Sequence, residues 1–418
     1  MDCFVAAFAA PRNDKLGYDA PTTSLAMPAE RPSSDYAPNA GETRPGARCA
    51  PMTLPSRKIL LNPGPTTTTD AVKRALVVAD ICPREAEFGA VVATVRRDLL
   101  AVAGTAADEH TAILVAGPGT AAMEAALGSL VPRDGRVLIL DNGAYGARAG
   151  EIAAVLGVPA HVWRVPWIVS PRPEELAAEL DGPAGPFTHA FWVHHETTTG
   201  MLNPLRAYGE VCRARGVRTI VDAMSSFAGL PLTLRDEPVD FLISSANKCL
   251  QGLPGISFVL ARREALAASA GTARSVALNL HRHESNLAPG GQFPFTPPVH
   301  VVYALAAALQ ETLAETVVAR AARYRSCYEV MLAGMESLGF TALLPRPLHS
   351  GLLTAFLLPA WPGFTFERLH DHLYARDVTL YPGKLPGTDT FRVANIGALT
   401  PDDLRGFVAA VKDFLHAR

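Results

Sequence analysis

The chain has 418 residues, of which 49% are hydrophobic and 19% are charged, and its formal net charge is −2. This length suffices for one large domain or two modest domains with buried cores. The near-neutral charge argues against a nucleic-acid surface, because phosphate contacts usually need clustered Lys and Arg. No apolar run reaches the roughly 18 to 20 residues that span a bilayer. We therefore expect a soluble enzyme-like protein without nucleic-acid or membrane partners.

The six cysteines are scattered, without a Cys-x-x-Cys pair or a Cys/His cluster: Cys3, Cys49, Cys82, Cys212, Cys249 and Cys327. This spacing suggests neither a disulfide framework nor a zinc site. The N-terminus has a short apolar stretch, but an acidic residue stands where a signal peptide needs a positive one. We expect reduced thiols in the cytoplasm rather than secretion.

Residues 1–55 are rich in Ala, Pro, Ser and Asn and lack apolar periodicity. Such a segment buries too little surface to offset its ordering entropy, so we predict a disordered extension. A start codon assigned too far upstream would give a segment of the same composition.

From Arg57 onward, apolar runs alternate with amphipathic helical stretches. Buried strands separated by helices predict an α/β fold with a mostly parallel, doubly wound sheet. After residue 300 a long helical run (301–336), alternating strands and a final helix predict a smaller α+β domain. We expect a large domain over 56–310 and a small domain over 311–418. The predicted strands of the large domain lie within the runs 111–117, 136–143, 189–196, 218–224 and 241–248.

Strand 111–117 runs into a glycine-rich turn that precedes a helix. Backbone N–H groups and the helix dipole make such a turn suitable for a phosphate, although most glycine-rich turns are only tight connections. A degraded dinucleotide fingerprint, Gly117-x-Gly119-x-x-Ala122, is a second interpretation. It is disfavoured because no acidic residue closes a second strand at the expected distance.

Polar residues follow the other strands, where the chemistry of such sheets gathers. Tyr145 follows one strand, and His194, His195 and Glu196 end another. The two histidines are adjacent, so their side chains point to opposite faces and do not favour a metal site.

Asp222 ends one strand and Lys248 follows the next. Each residue alone is explained as a paired carboxylate or a solvated lysine. Together, one ligand would use them all: phosphate at the Gly119 turn, a ring on Tyr145, a pyridine nitrogen at Asp222 and an aldehyde on Lys248. Pyridoxal 5'-phosphate is that ligand.

Eight blocks of the sequence, including HHETTTGMLNPL, VDAMSSFAGLPL, SSANKCLQGLPGISFV and LYPGKLPGTDTFRVANIG, closely resemble 2-aminoethylphosphonate–pyruvate transaminases. These enzymes are class V aminotransferases with the type I PLP fold, and the resemblance covers about residues 57–418. It implies that the amino group of 2-aminoethylphosphonate moves to pyruvate, which gives phosphonoacetaldehyde and L-alanine.

The resemblance also implies residue roles. Lys248 would bind the cofactor covalently and shuttle a proton, Asp222 would pair with the pyridine nitrogen and Tyr145 would stack on the ring. The phosphate cup would comprise Gly119, Thr120 and the backbone of Ala121, with Thr199 near the ring oxygen. These cofactor-binding assignments are expectations carried over from the family.

For the substrate and the assembly, the resemblance implies that Arg392 holds an anionic group, since its fork suits carboxylate and phosphonate alike. Thr296 would complete the phosphate cup of a neighbouring subunit, which implies a homodimer with shared active sites. The segments 62–65, which includes Gly64, and 381–383, together with Arg84, would line the substrate pocket.

The sequence departs from the family pattern at several positions. Pro118 stands where the cup usually has Ser, and His195 stands where this branch usually has Cys. The polar segment 281–292 and the N-terminal extension have no counterpart. The exact amine donor therefore stays open at this point, as does the physiological direction.

Four alternative functions remain. Another class V transaminase with a carboxylate donor, of the alanine–glyoxylate or serine–pyruvate type, would use the same arginine. A cysteine desulfurase needs a mobile-loop cysteine, and Cys327 lies in a helical pattern instead. A non-catalytic binding protein would not need Lys248, Asp222 and Arg392. An NAD-dependent dehydrogenase is disfavoured because the ribose-binding acid is missing.

Overall fold

The computed structural model of this chain describes residues 56–383 and 385–417. The predicted disorder of residues 1–55 falls outside the described residues, so it stays a prediction. The helices are α1 (Asp70–Arg74), α2 (Ala86–Val102), α3 (Gly119–Leu130), α4 (Ala144–Val155), α5 (Pro173–Leu180), α6 (Leu205–Arg213), α7 (Arg263–Ala268), α8 (Leu280–Gly290), α9 (Val299–Glu315), α10 (Val317–Ser337), α11 (Phe366–Tyr374) and α12 (Pro401–His416).

Strands occur throughout the same ranges, and a single 3-10 turn is found at Arg346–Leu348. The strands are β1 (Ile59–Leu60), β2 (His110–Ala116), β3 (Val137–Asp141), β4 (Ala160–Arg164), β5 (His189–Val193), β6 (His195–Glu196), β7 (Met201–Leu202), β8 (Arg218–Asp222), β9 (Phe241–Ser245), β10 (Ile256–Arg262), β11 (Leu353–Leu357), β12 (Val378–Thr379), β13 (Tyr381–Pro382) and β14 (Thr390–Ala394).

The main sheet has seven strands in the order β2-β10-β9-β8-β5-β3-β4. Strand β10 runs antiparallel to both of its neighbours, and the other neighbouring pairs are parallel. Every residue of β3, β5 and β9 is buried, so both faces of the sheet are covered. Side chains of successive strand residues point to opposite faces, which explains why these strands have apolar runs. The predicted mostly parallel α/β sheet is confirmed.

The direction of the strands decides where the polar residues lie. Strands β3, β5, β8 and β9 are mutually parallel, and β2 has the same direction because β10 is antiparallel to both β2 and β9. Their carboxyl ends therefore meet at one edge of the sheet. Ligands of open α/β sheets bind at this edge.

A second, three-stranded antiparallel sheet in the order β11-β14-β13 lies in the last part of the chain. Phe356, Phe391 and Val393 of this sheet belong to a separate hydrophobic cluster, which lies within residues 327–414 and also includes Leu61. The cluster on the main sheet is formed by residues between 88 and 309. Leu61 joins the second cluster because β1 pairs in parallel with β12.

Three features differ from the sequence prediction. The predicted run 301–336 is interrupted, since α9 and α10 meet at 86° around Thr316, whose φ is 69°. Strands β4 and β10 were not predicted, and the unassigned segment 281–292 falls mostly in helix α8.

In the described ranges, no single helix is both long enough and apolar enough to span a membrane. The bent pair of α9 and α10 meets these two conditions only when both helices are counted together.

Candidate active site

The carboxyl edge of the main sheet contains a small cavity that brings three predicted cofactor residues together. Tyr145, Asp222 and Lys248 all line it. Each follows or ends a different strand, so the parallel strand order is what makes them neighbours. The other lining residues are Val193, His195, Thr197, Met224 and Ser225.

Lys248 lies three residues beyond β9, in the turn that leads towards β10. Its Nζ donates a hydrogen bond to the carbonyl oxygen of Pro63 at 2.8 Å. Burial lowers the pKa of the Lys248 amine, which favours the neutral form that acts as a nucleophile. Gly64 lies directly against this side chain, since a Cβ there would be 2.4 Å from Lys248 Cδ. The structure thus places Gly64 beside the predicted catalytic lysine.

Asp222 is the last residue of β8 and is 2% exposed. Its Oδ1 accepts a hydrogen bond from the backbone N–H of Met224 at 2.9 Å. Burial raises the pKa of this carboxyl to about 6, because the charged form loses its hydration. A buried carboxylate of this kind is stabilised by a cationic partner in the cavity, and a protonated pyridine nitrogen would be one.

Tyr145 is held in place by Glu196, a residue whose structural role the sequence did not reveal. Tyr145 is the second residue of α4, and its backbone N–H donates to Glu196 Oε2 at 3.3 Å. A Cβ on Gly143 would lie 2.1 Å from Glu196 Cδ, so glycine is needed there. The carboxylate also accepts two bonds from Thr198, at 3.0 and 2.7 Å. Burial raises the pKa of this carboxyl, and the hydrogen bonds that it accepts oppose the shift. As an acceptor at the helix N-terminus it orients the helix that carries Tyr145.

The predicted phosphate turn is the first turn of α3, with Gly119, Thr120 and Ala121 in it. The N-cap residue Pro118 makes no side-chain cap hydrogen bond. A Cβ on Gly119 would lie 2.0 Å from Met224 Sδ, so the glycine lets the turn approach the cavity closely. The N–H of Ala121 donates to the Pro118 carbonyl at 2.8 Å. The turn is thus adjacent to the cavity through Met224.

Two threonines next to the cavity have buried hydroxyls that lack a hydrogen-bond partner within the described part of the chain: Thr197 and Thr199. Thr197 lines the cavity, whereas the predicted Thr199 does not. Buried hydroxyls are nearly always paired, so this pair of oxygens is suited to a polar ligand. Sequence reasoning missed Thr197 because all three threonines of the ETTTG block look equivalent.

Arg392 comes from the second sheet and is 2% exposed. Its Nε donates to the Pro382 carbonyl at 3.0 Å, and its Nη1 to the Thr197 carbonyl at 3.3 Å. Burial lowers the pKa of its guanidinium, and Tyr145 opposes this shift. Arg392 lies 144 positions after Lys248 in the sequence, and strand β14 places its positive charge at the rim of the cavity.

Two other predicted residues lie elsewhere. Arg84 donates from Nη1 to the Phe293 carbonyl at 2.5 Å and to Gln292 Oε1 at 3.3 Å. Thr296 is exposed in the same segment. Neither residue lines the cavity that contains Lys248.

His195 connects the cavity to the loop that precedes β11. Its Nδ1 lies 3.3 Å from the Ser225 carbonyl, and its Nε2 lies 2.8 Å from Ser350 Oγ. A carbonyl only accepts, so Nδ1 carries the proton and Ser350 donates to Nε2. Burial lowers the pKa of His195 to about 3, so the ring is neutral near pH 7. His194 has a different partner, Ser226 Oγ, at 2.9 Å.

Comparison with known proteins places this geometry in a family. The family model described as aminotransferase class V matches residues 73–356. A relative named 2-aminoethylphosphonate–pyruvate transaminase, from Syntrophobacter fumaroxidans, is 43% identical over 370 residues, which cover 88% of this chain and 99% of the relative. A protein of the same name from Aeromonas hydrophila is 44% identical, with 84% and 94% covered.

A solved structure gives the same result. Alanine–glyoxylate aminotransferase from Nostoc sp. superposes with a TM-score of 0.79 at 25% identity, and the match covers 88% of this chain and 97% of that one. The profile match, the similar sequences and the shared fold agree with the cavity that holds Lys248 and Asp222. The chain belongs to the class V aminotransferases.

Proposed function

We propose that this protein is a pyridoxal 5'-phosphate-dependent transaminase that moves the amino group of 2-aminoethylphosphonate to pyruvate. The observation that carries the proposal is the convergence of Lys248, Asp222 and Tyr145 on one cavity. The proposed products are phosphonoacetaldehyde and L-alanine.

The cavity suits the cofactor in three respects. The Lys248 amine has a lowered pKa, Asp222 offers a buried carboxyl, and Thr197 has a hydroxyl without a partner in the described ranges. In this proposal Tyr145 stacks on the ring, Thr199 lies near the ring oxygen, and the turn Gly119–Thr120–Ala121 binds the phosphate. When bound, pyridoxal phosphate supplies an electron sink for the carbon that loses its amino group.

The protein's own residues then have distinct tasks. Lys248 would hold the cofactor covalently, and its amine would move the proton at the substrate carbon. Asp222 would keep the pyridine nitrogen protonated, because an anion beside a nitrogen base favours the charged form of the base. Glu196 positions Tyr145 through the start of α4. Arg392 binds the anionic end of the substrate as a two-pronged donor.

The choice of substrate is supported by the similar sequences. The two relatives described above carry the name 2-aminoethylphosphonate–pyruvate transaminase at 43% and 44% identity over nearly their whole length. A second candidate is a carboxylate donor, as in alanine–glyoxylate or serine–pyruvate aminotransferases. Arg392 does not distinguish the two donors, because a guanidinium binds a carboxylate and a phosphonate equally well. The fold shared with the Nostoc enzyme is compatible with either.

We further propose a homodimer with shared active sites in the cytoplasm, divided into domains at 56–310 and 311–418. The two separate hydrophobic clusters support that division. Thr296 is exposed, which suits a residue that acts in a neighbouring subunit, and Arg84 holds the segment that carries it.

The purified protein should form L-alanine from pyruvate with 2-aminoethylphosphonate as donor, and faster than with L-serine. The Lys248→Ala variant should form none and should lack the visible absorbance of lysine-bound cofactor, because no other amine lines the cavity within the described residues. Asp389→Asn, at an exposed position, serves as the control and should match wild type. Faster alanine formation from L-serine would favour the carboxylate donor, and an active Lys248→Ala variant would refute the mechanism.

A further inference from the structure

Arg148 is a cation beside the proposed cofactor site that has no role so far. It lies on α4, three residues after Tyr145, and is half-buried. Its guanidinium carbon lies 5.0 Å from the centre of the Tyr145 ring. Its Nη1 lies 3.5 Å from Thr120 Oγ1, at the start of α3. Arg148 thus touches both the ring that would stack on the cofactor and the turn that would hold its phosphate.

The charge of Arg148 is not neutralised by a carboxylate within residues 56–383 and 385–417, where no acidic oxygen lies within 4.0 Å of its guanidinium. Glu124 and Glu151 line the same groove but do not reach it. An arginine has five N–H donors, and the long contact to Thr120 uses only one. A partly desolvated guanidinium with unused donors is suited to an anion.

The phosphate turn itself lacks a charged group. It offers backbone N–H groups and the Thr120 hydroxyl, while its N-cap, Pro118, makes no side-chain hydrogen bond. A bound phosphate carries up to two negative charges, which a helix N-terminus only partly offsets. A planar guanidinium can donate two parallel hydrogen bonds to such a group.

We propose that Arg148 binds the phosphate of the cofactor and supplies the positive charge that the turn at Gly119–Ala121 lacks. This inference rests on the proposed use of pyridoxal phosphate. It adds a cofactor-binding residue from α4, so that one helix serves both ends of the cofactor. Tyr145 contacts the ring, and Arg148, one turn further, contacts the phosphate.

The test measures dissociation constants of the cofactor-free protein for pyridoxal phosphate and for pyridoxal, which lacks the phosphate, by absorbance titration. Arg148→Gln should weaken binding of pyridoxal phosphate by about tenfold or more, because charge-assisted hydrogen bonds are among the stronger ones. Its affinity for pyridoxal should change by less than about threefold. The affinity of Arg148→Lys for pyridoxal phosphate should lie between those of wild type and Arg148→Gln. Lysine keeps the positive charge but cannot donate two parallel hydrogen bonds.

Glu151→Gln is the matched control, because Glu151 lies on the same helix and lines the same groove. It should leave both dissociation constants within about twofold of wild type, since it removes no donor. An equal loss of affinity for both ligands in Arg148→Gln would overturn the inference, because Arg148 would then act only through Tyr145. No loss for either ligand would overturn it as well. Failure of the wild-type protein to bind pyridoxal phosphate would instead overturn the proposed cofactor.

Discussion

At the scale of single residues, the buried carboxyl of Asp222 opposes folding when it is charged. Its pKa is about 6 in the fold against 3.8 in an unfolded chain, because burial penalises the charge. Below about pH 3.8 the carboxyl is protonated in both states and costs nothing. As pH rises from about 3.8 to about 6, the unfolded chain loses this proton while the folded protein still holds it, so stability falls by roughly 3 kcal/mol and is level above that range.

Asp222→Asn should therefore stabilise the cofactor-free protein by about 2–3 kcal/mol at pH 7.5, and by much less near pH 4. The same change should abolish transamination, because an amide does not keep the pyridine nitrogen protonated. Denaturant unfolding at both pH values measures the stability. The exposed Asp389→Asn serves as the control and should show no such pH-dependent gain. Equal gains at both pH values would contradict the explanation.

At the scale of elements, the hairpin of β6 and β7 is fixed to the loop that leads into β11. Ser350 N–H donates to the Gly200 carbonyl at 3.0 Å, and Ser350 Oγ donates to His195. Gly200 is required at this contact, since a Cβ there would lie 2.4 Å from the Leu353 carbonyl oxygen. Because β11 pairs with β14, the contact connects the cavity to the strand that carries Arg392.

His195→Leu should destabilise the protein by about 1–3 kcal/mol, because two buried groups each lose a hydrogen bond. The Ser225 carbonyl would keep only the weak donor Cys249 Sγ, and the Ser350 hydroxyl would lose its acceptor. His195→Gln should recover much of this loss, since an amide can donate to one and accept from the other. A double-mutant cycle of His195→Leu with Ser350→Ala should give a coupling of about 1 kcal/mol in denaturant unfolding.

The matched control cycle uses His283→Leu with Ser350→Ala. His283 is also buried, but both of its ring nitrogens contact backbone carbonyls, those of Leu114 and Ala277. This cycle should be additive, because the two sites share no partner. Additivity in the His195 cycle as well would show that its contact with Ser350 contributes nothing.

The sequence predicted those elements whose signal is local. The apolar runs predicted five of the seven strands of the main sheet, all except β4 and β10. Lys248, Asp222 and Tyr145 end or follow three of those five strands and line one cavity. The bend at Thr316 has no local signal, because neither glycine nor proline stands there and a threonine takes the positive φ. The bond between His195 and Ser350 joins residues 155 positions apart, so only the fold reveals it. The same holds for the role of Glu196 at α4.

At the scale of the whole molecule, the exposed Thr296 bears on whether active sites are shared between subunits. Suppose that Thr296 completes the active site of the neighbouring subunit. A hybrid dimer of one Lys248→Ala subunit and one Thr296→Arg subunit then contains one intact active site. Random pairing should then restore about a quarter of wild-type activity from two inactive proteins. Alanine formation after unfolding and refolding the mixture measures this recovery.

Refolding each variant alone is the control and should restore no activity. If Thr296 instead served the site of its own subunit, the hybrid would contain no intact site and the mixture would stay inactive. That result would contradict shared sites, and a monomer in sedimentation would contradict the dimer itself.

The contact between Lys248 and Pro63 has a consequence for the proposed attachment of the cofactor to Lys248. The amine rests against a neutral carbonyl oxygen at 2.8 Å, and no carboxylate within the described residues forms an ion pair with it. An incoming aldehyde therefore displaces one ordinary hydrogen bond instead of breaking an ion pair in a buried site. Breaking this one hydrogen bond costs little free energy. The rate at which the protein binds the cofactor should therefore depend little on salt concentration and mainly on the fraction of Lys248 amine that is uncharged.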